Sequence, residues 1–254
     1  MNEDNTHVLQ AINVNLIIDR KSVIKNVNLN VSKNERIGIV GLHHAGKTLL
    51  MEVLAGDMKP SKGKVLLDGE KIDKRKICYI PQFPKFPLVL KAKEIMSYIG
   101  KDFLSLLDEV EIDKEKKVKD MSFDEKRRLY YALSLPFSPK YLLIDDISFI
   151  SRSTREIVSR FKGGVIIAHH NLRDVWDLVD KIAVMSDGKI VFSSLKEDFE
   201  YKIIKYKDEN EKDEEAWVKL KDDSLKKVLI ERGIKFQEIN VTPDEVFLHF
   251  YARS

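Results

Sequence analysis

The feature that most constrains this chain is a short apolar run, RIGIV (36–40), that opens into GLHHAGKT (41–48). Gly41, four free positions, Gly46, Lys47 and Thr48 reproduce the P-loop spacing. KTLLMEVLA (47–55) then continues at helical spacing up to Gly56, a suitable C-cap. Strand, Gly-rich loop and helix start, in that order, are what a polyphosphate site needs. The loop turns backbone N–H groups inward, and the helix adds its free N–H groups and the positive end of its dipole. Lys47 is expected to supply a point charge for the β- and γ-phosphates, and Thr48 a hydroxyl for Mg²⁺. Inside the loop stand two adjacent histidines, His43 and His44, and a second pair, His169–His170, follows much later. Either the four converge on a metal, or they belong to a nucleotide site that has diverged. Adjacent residues rarely both point at one ion, and no Cys or carboxylate partner is evident, so the nucleotide reading is preferred.

The remaining pattern predicts an α/β fold. VLQAINVNLII and SVIKNVNLNVS read as antiparallel strands, GKVLLDGEKI as a hairpin and KICYI as a buried strand. Residues 87–135 turn helical. YLLIDD, GVIIAH and the hairpin KIAVMSDGKIVFSS then alternate with the helices TREIVSRF and LRDVWDLV, which implies a mostly parallel sheet with flanking helices. The expected organisation is a nucleotide-binding domain over 1–198, with an antiparallel β subdomain and a helical subdomain at 87–135. A small α+β appendage follows over 199–254. In it, YKIIKYK and AWVKLK flank an acidic turn at 208–215, DSLKKVLIERG is a helix stopped by Gly233, IKFQEINV is a strand, and TPDEVFLHFYA is a helix capped by Thr242 with Pro243 at its first position.

Composition narrows the function classes. A net charge of +3, from 44 basic and 41 acidic residues, gives no bulk electrostatics for nucleic acid. The one cysteine, Cys78, excludes a disulfide framework and fits a reducing compartment. The polar start MNEDNTHV argues against a signal peptide, and no apolar run approaches the roughly 20 residues of a membrane span. Direct membrane insertion is therefore not expected.

A P-loop needs a distant carboxylate to fix its metal, and YLLIDD (141–146) delivers Asp145 at a strand end with Asp146 behind it. With these motifs in place, the order of segments resembles the nucleotide-binding subunit of an ABC (ATP-binding cassette) transporter over about residues 7–198. YIPQF places Gln82 where that family has its Q-loop glutamine, which contacts Mg²⁺ and senses the permease. MSFDEKRR (121–128) stands at the signature, with Ser122 retained. Asp145 matches the Walker B aspartate, Asp146 the catalytic carboxylate, and His170 the switch histidine. The tail is similar to the C-terminal end of ATPases serving ABC-2-type exporters.

The resemblance implies ATP and Mg²⁺ as cofactors. ATP would lie on the loop residues Gly41, Leu42, His43, His44, Ala45, Gly46, Lys47, Thr48 and Leu49, with Thr48, Gln82 and Asp145 around the metal. It also implies a second ATP-binding subunit, the same or different, whose signature closes over the nucleotide. A membrane permease is the other implied partner, with the chain peripheral on the cytoplasmic face of the cell membrane.

Several positions depart from the family. His43 and His44 replace a small or polar residue and a glycine, although histidine tolerates left-handed backbone better than most residues. Phe123 and Asp124 replace signature glycines and Glu125 a glutamine, so the ring is expected to obstruct close backbone approach and an added carboxylate to repel the γ-phosphate. Asp146 is one methylene shorter than the usual Glu. No aromatic stands where adenine would stack, leaving Ile17 or Ile18 as an apolar contact. Ser151 and Arg152 stand near the usual D-loop aspartate. Together these predict ATP binding with slow hydrolysis. The alternative is a degenerate regulatory or assembly subunit that switches on ATP without energising transport.

Overall fold

The computed structural model describes residues 8–148, 150–208 and 212–251. The polar stretch 1–7, Phe149 behind the aspartate pair, part of the acidic turn (209–211) and Ala252 at the end of the last expected helix lie outside the described residues. Strands β1 (Val8–Ile18) and β2 (Lys21–Ser32) pair antiparallel. After them come β3 (Arg36–Val40), α1 (Lys47–Leu54), β4 (Lys62–Leu67) and β5 (Glu70–Lys71). A four-stranded sheet in the order β2-β1-β4-β5 results.

Next along the chain are β6 (Ile77–Ile80), α2 (Ala92–Ser97), α3 (Leu106–Glu109), α4 (Phe123–Ser134), β7 (Tyr141–Asp145) and α5 (Arg152–Arg160). They are followed by β8 (Gly164–His169), α6 (Leu172–Val175), β9 (Lys181–Ser186) and β10 (Lys189–Leu195). The central sheet runs β10-β9-β3-β8-β7-β6, with β3, β6, β7, β8 and β9 parallel and β10 antiparallel at the edge. This is the α/β P-loop fold. YLLID and GVIIAH are buried at every position, as expected for strands covered on both faces. One core cluster joins one face of this sheet to α1 and the four-stranded sheet, and a second fills the other face.

Residues 87–135 are less helical than expected. The chain there bonds across itself, with Val118 N donating to Leu90 O and Ala92 N to Lys116 O. Those backbone groups are withdrawn from any long helix, so α2 and α3 are short and only α4 reaches three turns. The tail forms β11 (Tyr201–Lys207), β12 (Asp213–Lys219), α7 (Ser224–Glu231), β13 (Phe236–Asn240) and α8 (Pro243–Tyr251), with sheet order β12-β11-β13. Strand β12 starts inside the acidic run, where Glu215 lies 3.3 Å from Lys205 on the neighbouring strand. Val246 and Phe247 of α8 are buried in the same cluster as Leu172 and Val175 of α6. Asp244 Oδ1 accepts hydrogen bonds from Leu172 N (3.1 Å) and Arg173 N (3.2 Å), tying the tail to the segment just after His170.

Candidate functional site

The parallel strands set the site at their C-terminal ends, where ligands of open α/β sheets bind. Val40 pairs with His169 and Asp145 with Ala168, so the loop after β3, the aspartates after β7 and the histidines after β8 meet at one edge. Gln82 arrives from the end of β6. The cavity between them is about 520 Å³ and is lined by His43, His44, Gly46, Lys47, Thr48, Leu49, Gln82, Asp145, Asp146 and His170.

The loop closes for local reasons. A Cβ on Gly41 would sit 2.2 Å from Met185 O, so only glycine fits there. Gly46 (φ 101°) and His44 (φ 64°) both adopt the left-handed region, and His44 does so where the family has glycine. Gly41, Leu42 and Ala45, also expected at the nucleotide, are not among the residues that line the cavity. Ala45 is buried and donates its N–H to Leu42 O (3.2 Å). Lys47 Nζ donates to Gly41 O (2.7 Å) and Leu42 O (2.9 Å). Burial lowers the Lys47 ammonium, and the charges of Asp145 and Asp146 counter it.

Asp145 is buried, and its Oδ2 has no hydrogen-bond partner. Burial raises its carboxyl above the usual range, against a contact from the Thr48 hydroxyl. An orphaned carboxylate oxygen beside a hydroxyl is a fitting seat for a divalent cation. Asp146 differs. Its Oδ2 accepts from Gln82 Nε2 (2.9 Å) and its Oδ1 from Ser148 N (2.6 Å). Burial pushes it upward, but His169 and Ser148 outweigh that and hold Asp146 far below the usual carboxylate range.

Sequence reasoning weighed His169 only as a metal ligand and gave it no role at the nucleotide site. It is 1% exposed, with Nε2 3.0 Å from Asp174 Oδ2 and Nδ1 3.3 Å from Asp146 Oδ1. His170 faces the cavity, its ring stacked on His43 (4.8 Å between centroids) and tilted against His169 (4.3 Å). Burial, then the neighbouring His169 and His43, lowers the His170 imidazole below its ordinary value. The convergence of all four histidines on one ion, the reading not preferred from the sequence, is not seen among the described residues. His44 has no part in the cluster, and Asp146 supplies the carboxylate that the sequence did not reveal as a neighbour. Strand β8 ends at His169, so the strict side-to-side alternation of a strand stops there and both rings reach one region. Lys21, Ser22 and Val23, with Asp187 and Gly188, also line the cavity. No local motif marks them.

Two further expectations are corrected. Ile18 does not line the cavity. As the last residue of β1 it packs, partly buried, against the core, and Lys21–Val23 take the rim instead. The signature carboxylates do not face outward either. Asp124 is buried, accepting from Ser151 N (3.0 Å), Thr154 Oγ1 (2.7 Å) and Arg128 Nε (3.2 Å). Glu125 accepts from Ser122 N (2.8 Å) and Lys116 Nζ (2.7 Å), while Ser122 Oγ accepts from Glu125 N (3.1 Å). Both carboxylates are neutralised within their own subdomain. Phe123, 59% exposed, is the projecting group, and Ser122 lies beside it on the surface, away from the cavity of its own chain.

A family model described as "ABC transporter" matches residues 24–148. The lantibiotic transport ATP-binding protein SrtF of Streptococcus pyogenes is 30% identical over 205 residues, which cover 72% of this chain and 89% of SrtF. The uncharacterized ABC transporter ATP-binding protein YxlF of Bacillus subtilis is 30% identical over 192 residues, 66% of this chain and 64% of YxlF. Among solved structures, cbiO1 from Clostridium perfringens, part of the ABC transporter complex cbiONQ, superposes with a TM-score of 0.63 at 24% identity, covering 76% of this chain and 89% of cbiO1. A phosphate loop, a buried Walker-type aspartate and these likenesses lead to one family: the chain belongs to the ATP-binding proteins of ABC transporters.

Proposed function

We propose that this chain binds Mg·ATP in the cavity above Lys47 and Asp145. Paired with a second ATP-binding subunit, it couples slow hydrolysis to a membrane permease. One observation carries the reading: Lys47, Thr48, Gln82, Asp145, Asp146 and His170, from four separate strand ends, line a single cavity. Lys47 exchanges its two loop carbonyls for phosphate oxygens. Thr48, Asp145 and Gln82 would hold Mg²⁺, which when bound offsets phosphate charge. Asp146 orients the attacking water, and His170 donates toward the γ-phosphate.

Hydrolysis is slow because Asp146 is already committed to Gln82 and Ser148, beyond being short. A misplacement of about 1 Å can cost about 10²-fold. Ser122 faces a partner's nucleotide, and with Asp124 and Glu125 turned inward the obstacle there is the Phe123 ring. Leu88, Val89 and Tyr98, each more than half exposed in the helical region, support a permease contact. Among the described residues no helix is long and apolar enough to cross a membrane. In this reading the permease supplies the membrane anchor, with the chain peripheral on the cytoplasmic face.

ATP turnover with and without the candidate permease tests this. Asp146→Asn should retain ATP binding and lose at least about tenfold in turnover, and Asp146→Glu should keep or raise it. Equal turnover in wild type and Asp146→Asn would remove Asp146 from the chemistry. Turnover indifferent to the permease would remove the coupling and leave the regulatory alternative.

A further inference from the structure

We propose that Asp146, His169 and His170 form a binding site for a borderline divalent transition ion such as Zn²⁺, separate from the magnesium position at Asp145 and Thr48. One oxygen or ring nitrogen from each of the three lies within 4.8 Å of those of the others. The strongest sign is His169. It is 1% exposed, and its Nδ1 has no hydrogen-bond partner, although it lies only 3.3 Å from Asp146 Oδ1. Two ligand atoms about 2.0–2.1 Å from one tetrahedral zinc ion sit about 3.3–3.4 Å apart, so this pair already has the required spacing.

The surroundings also match a metal site. His169 Nε2 is 3.0 Å from Asp174 Oδ2; with the ring proton on Nε2, Asp174 is the outer carboxylate that accepts it and Nδ1 keeps its lone pair for the ion. Ser148 N donates to Asp146 Oδ1 and Gln82 Nε2 to its Oδ2, which fixes the orientation of the carboxylate. His170 is only half-buried. Its ring is stacked on His43, and one of its nitrogens lies within 4.8 Å of the ligand atoms of the other two residues. Three protein ligands with one side facing the cavity leave an open fourth position. Two imidazoles and one carboxylate favour zinc, cobalt or nickel, whereas Mg²⁺ and Ca²⁺ prefer oxygen alone. An ion there would occupy both Asp146 and His170 and so slow turnover. That consequence rests on the ATPase reading, and the binding itself does not.

The test uses untagged, nucleotide-free protein titrated with Co²⁺, whose visible absorption reports a low-coordinate nitrogen–oxygen site. The expected result is one Co²⁺ per chain, displaced by one Zn²⁺. Affinity should fall at least about tenfold in His170→Gln and roughly 10–100-fold in Asp174→Asn, and stay unchanged in His249→Gln. Both informative residues are partly exposed, and circular dichroism establishes that the variants are folded. Absence of stoichiometric Co²⁺ binding by wild type, or equal binding by folded His170→Gln and Asp174→Asn, would overturn the site. Mg·ATP titrated separately on the same protein keeps a failure here distinct from a failure of nucleotide binding.

Discussion

Two turns in this molecule each launch a helix at the surface, and they treat its first N–H groups in opposite ways. Before α1, the N-cap Gly46 offers no side-chain acceptor, Lys47 rests on two loop carbonyls, and Asp145 Oδ2 nearby stays without a partner. Before α4, Ser122 and Glu125 form a reciprocal capping box, Lys116 neutralises Glu125, and Asp124 is buried against Arg128, Ser151 and Thr154. The first turn leaves its donors available to a ligand; the second satisfies them within the protein. In this chain it is the uncapped start of α1 that leaves backbone donors for its own nucleotide, whereas the start of α4 is braced internally and presents Ser122 and Phe123 at the surface.

The largest effect should come from breaking the second turn. Asp124→Ala leaves the Arg128 guanidinium buried beside a lost partner, and should cost about 3–5 kcal/mol in a denaturant titration. A value within experimental error of zero would show that the turn is not internally braced. The same carboxylate carries a pH signature. Burial works against it, but Ser151, Thr154 and Arg128 prevail and hold it below its ordinary value. Its stabilisation is therefore full above the unfolded value of about 4 and is lost as pH falls through the folded one. The stability gap between wild type and Asp124→Asn should be constant from about pH 5 to 8 and shrink below about 4.

Breaking the first turn should affect binding rather than stability. Lys47→Ala removes a charged hydrogen bond to phosphate worth about 1.5–3 kcal/mol, so the Kd for Mg·ATP should rise roughly 10- to 150-fold with little change in Tm. Ser122→Ala sharpens the contrast, since loss of the cap should cost about 1 kcal/mol of stability while leaving ATP affinity of the isolated chain unchanged. Smallest of all, His44→Gly relieves a left-handed residue but loosens the unfolded chain, and the net shift in stability should stay within about 1 kcal/mol.

What was legible in the sequence follows from what is local. Residues 41–48 are contiguous, and each serves the loop through its own backbone, so the spacing alone disclosed strand, loop and helix. Asp145 was legible because a fully apolar strand delivers it. His169 was not, because its role depends on Asp146 across a strand pairing and on Asp174 one turn further on. Asp187–Gly188 reach the rim only because Lys25 N donates to Gly188 O (2.8 Å) and Gly188 N to Ala45 O (3.0 Å), contacts between segments more than 140 positions apart. Asp124 and Glu125 were read by charge alone, and the helix turned one inward and capped itself with the other.

The account's central claim is that the uncapped turn binds a magnesium triphosphate. Calorimetry of the folded, monodisperse chain with Mg·ATP tests it most directly. One saturable site per chain that Lys47→Ala abolishes or weakens at least about tenfold is the predicted result. No heat of binding, even with the second subunit present, would contradict it.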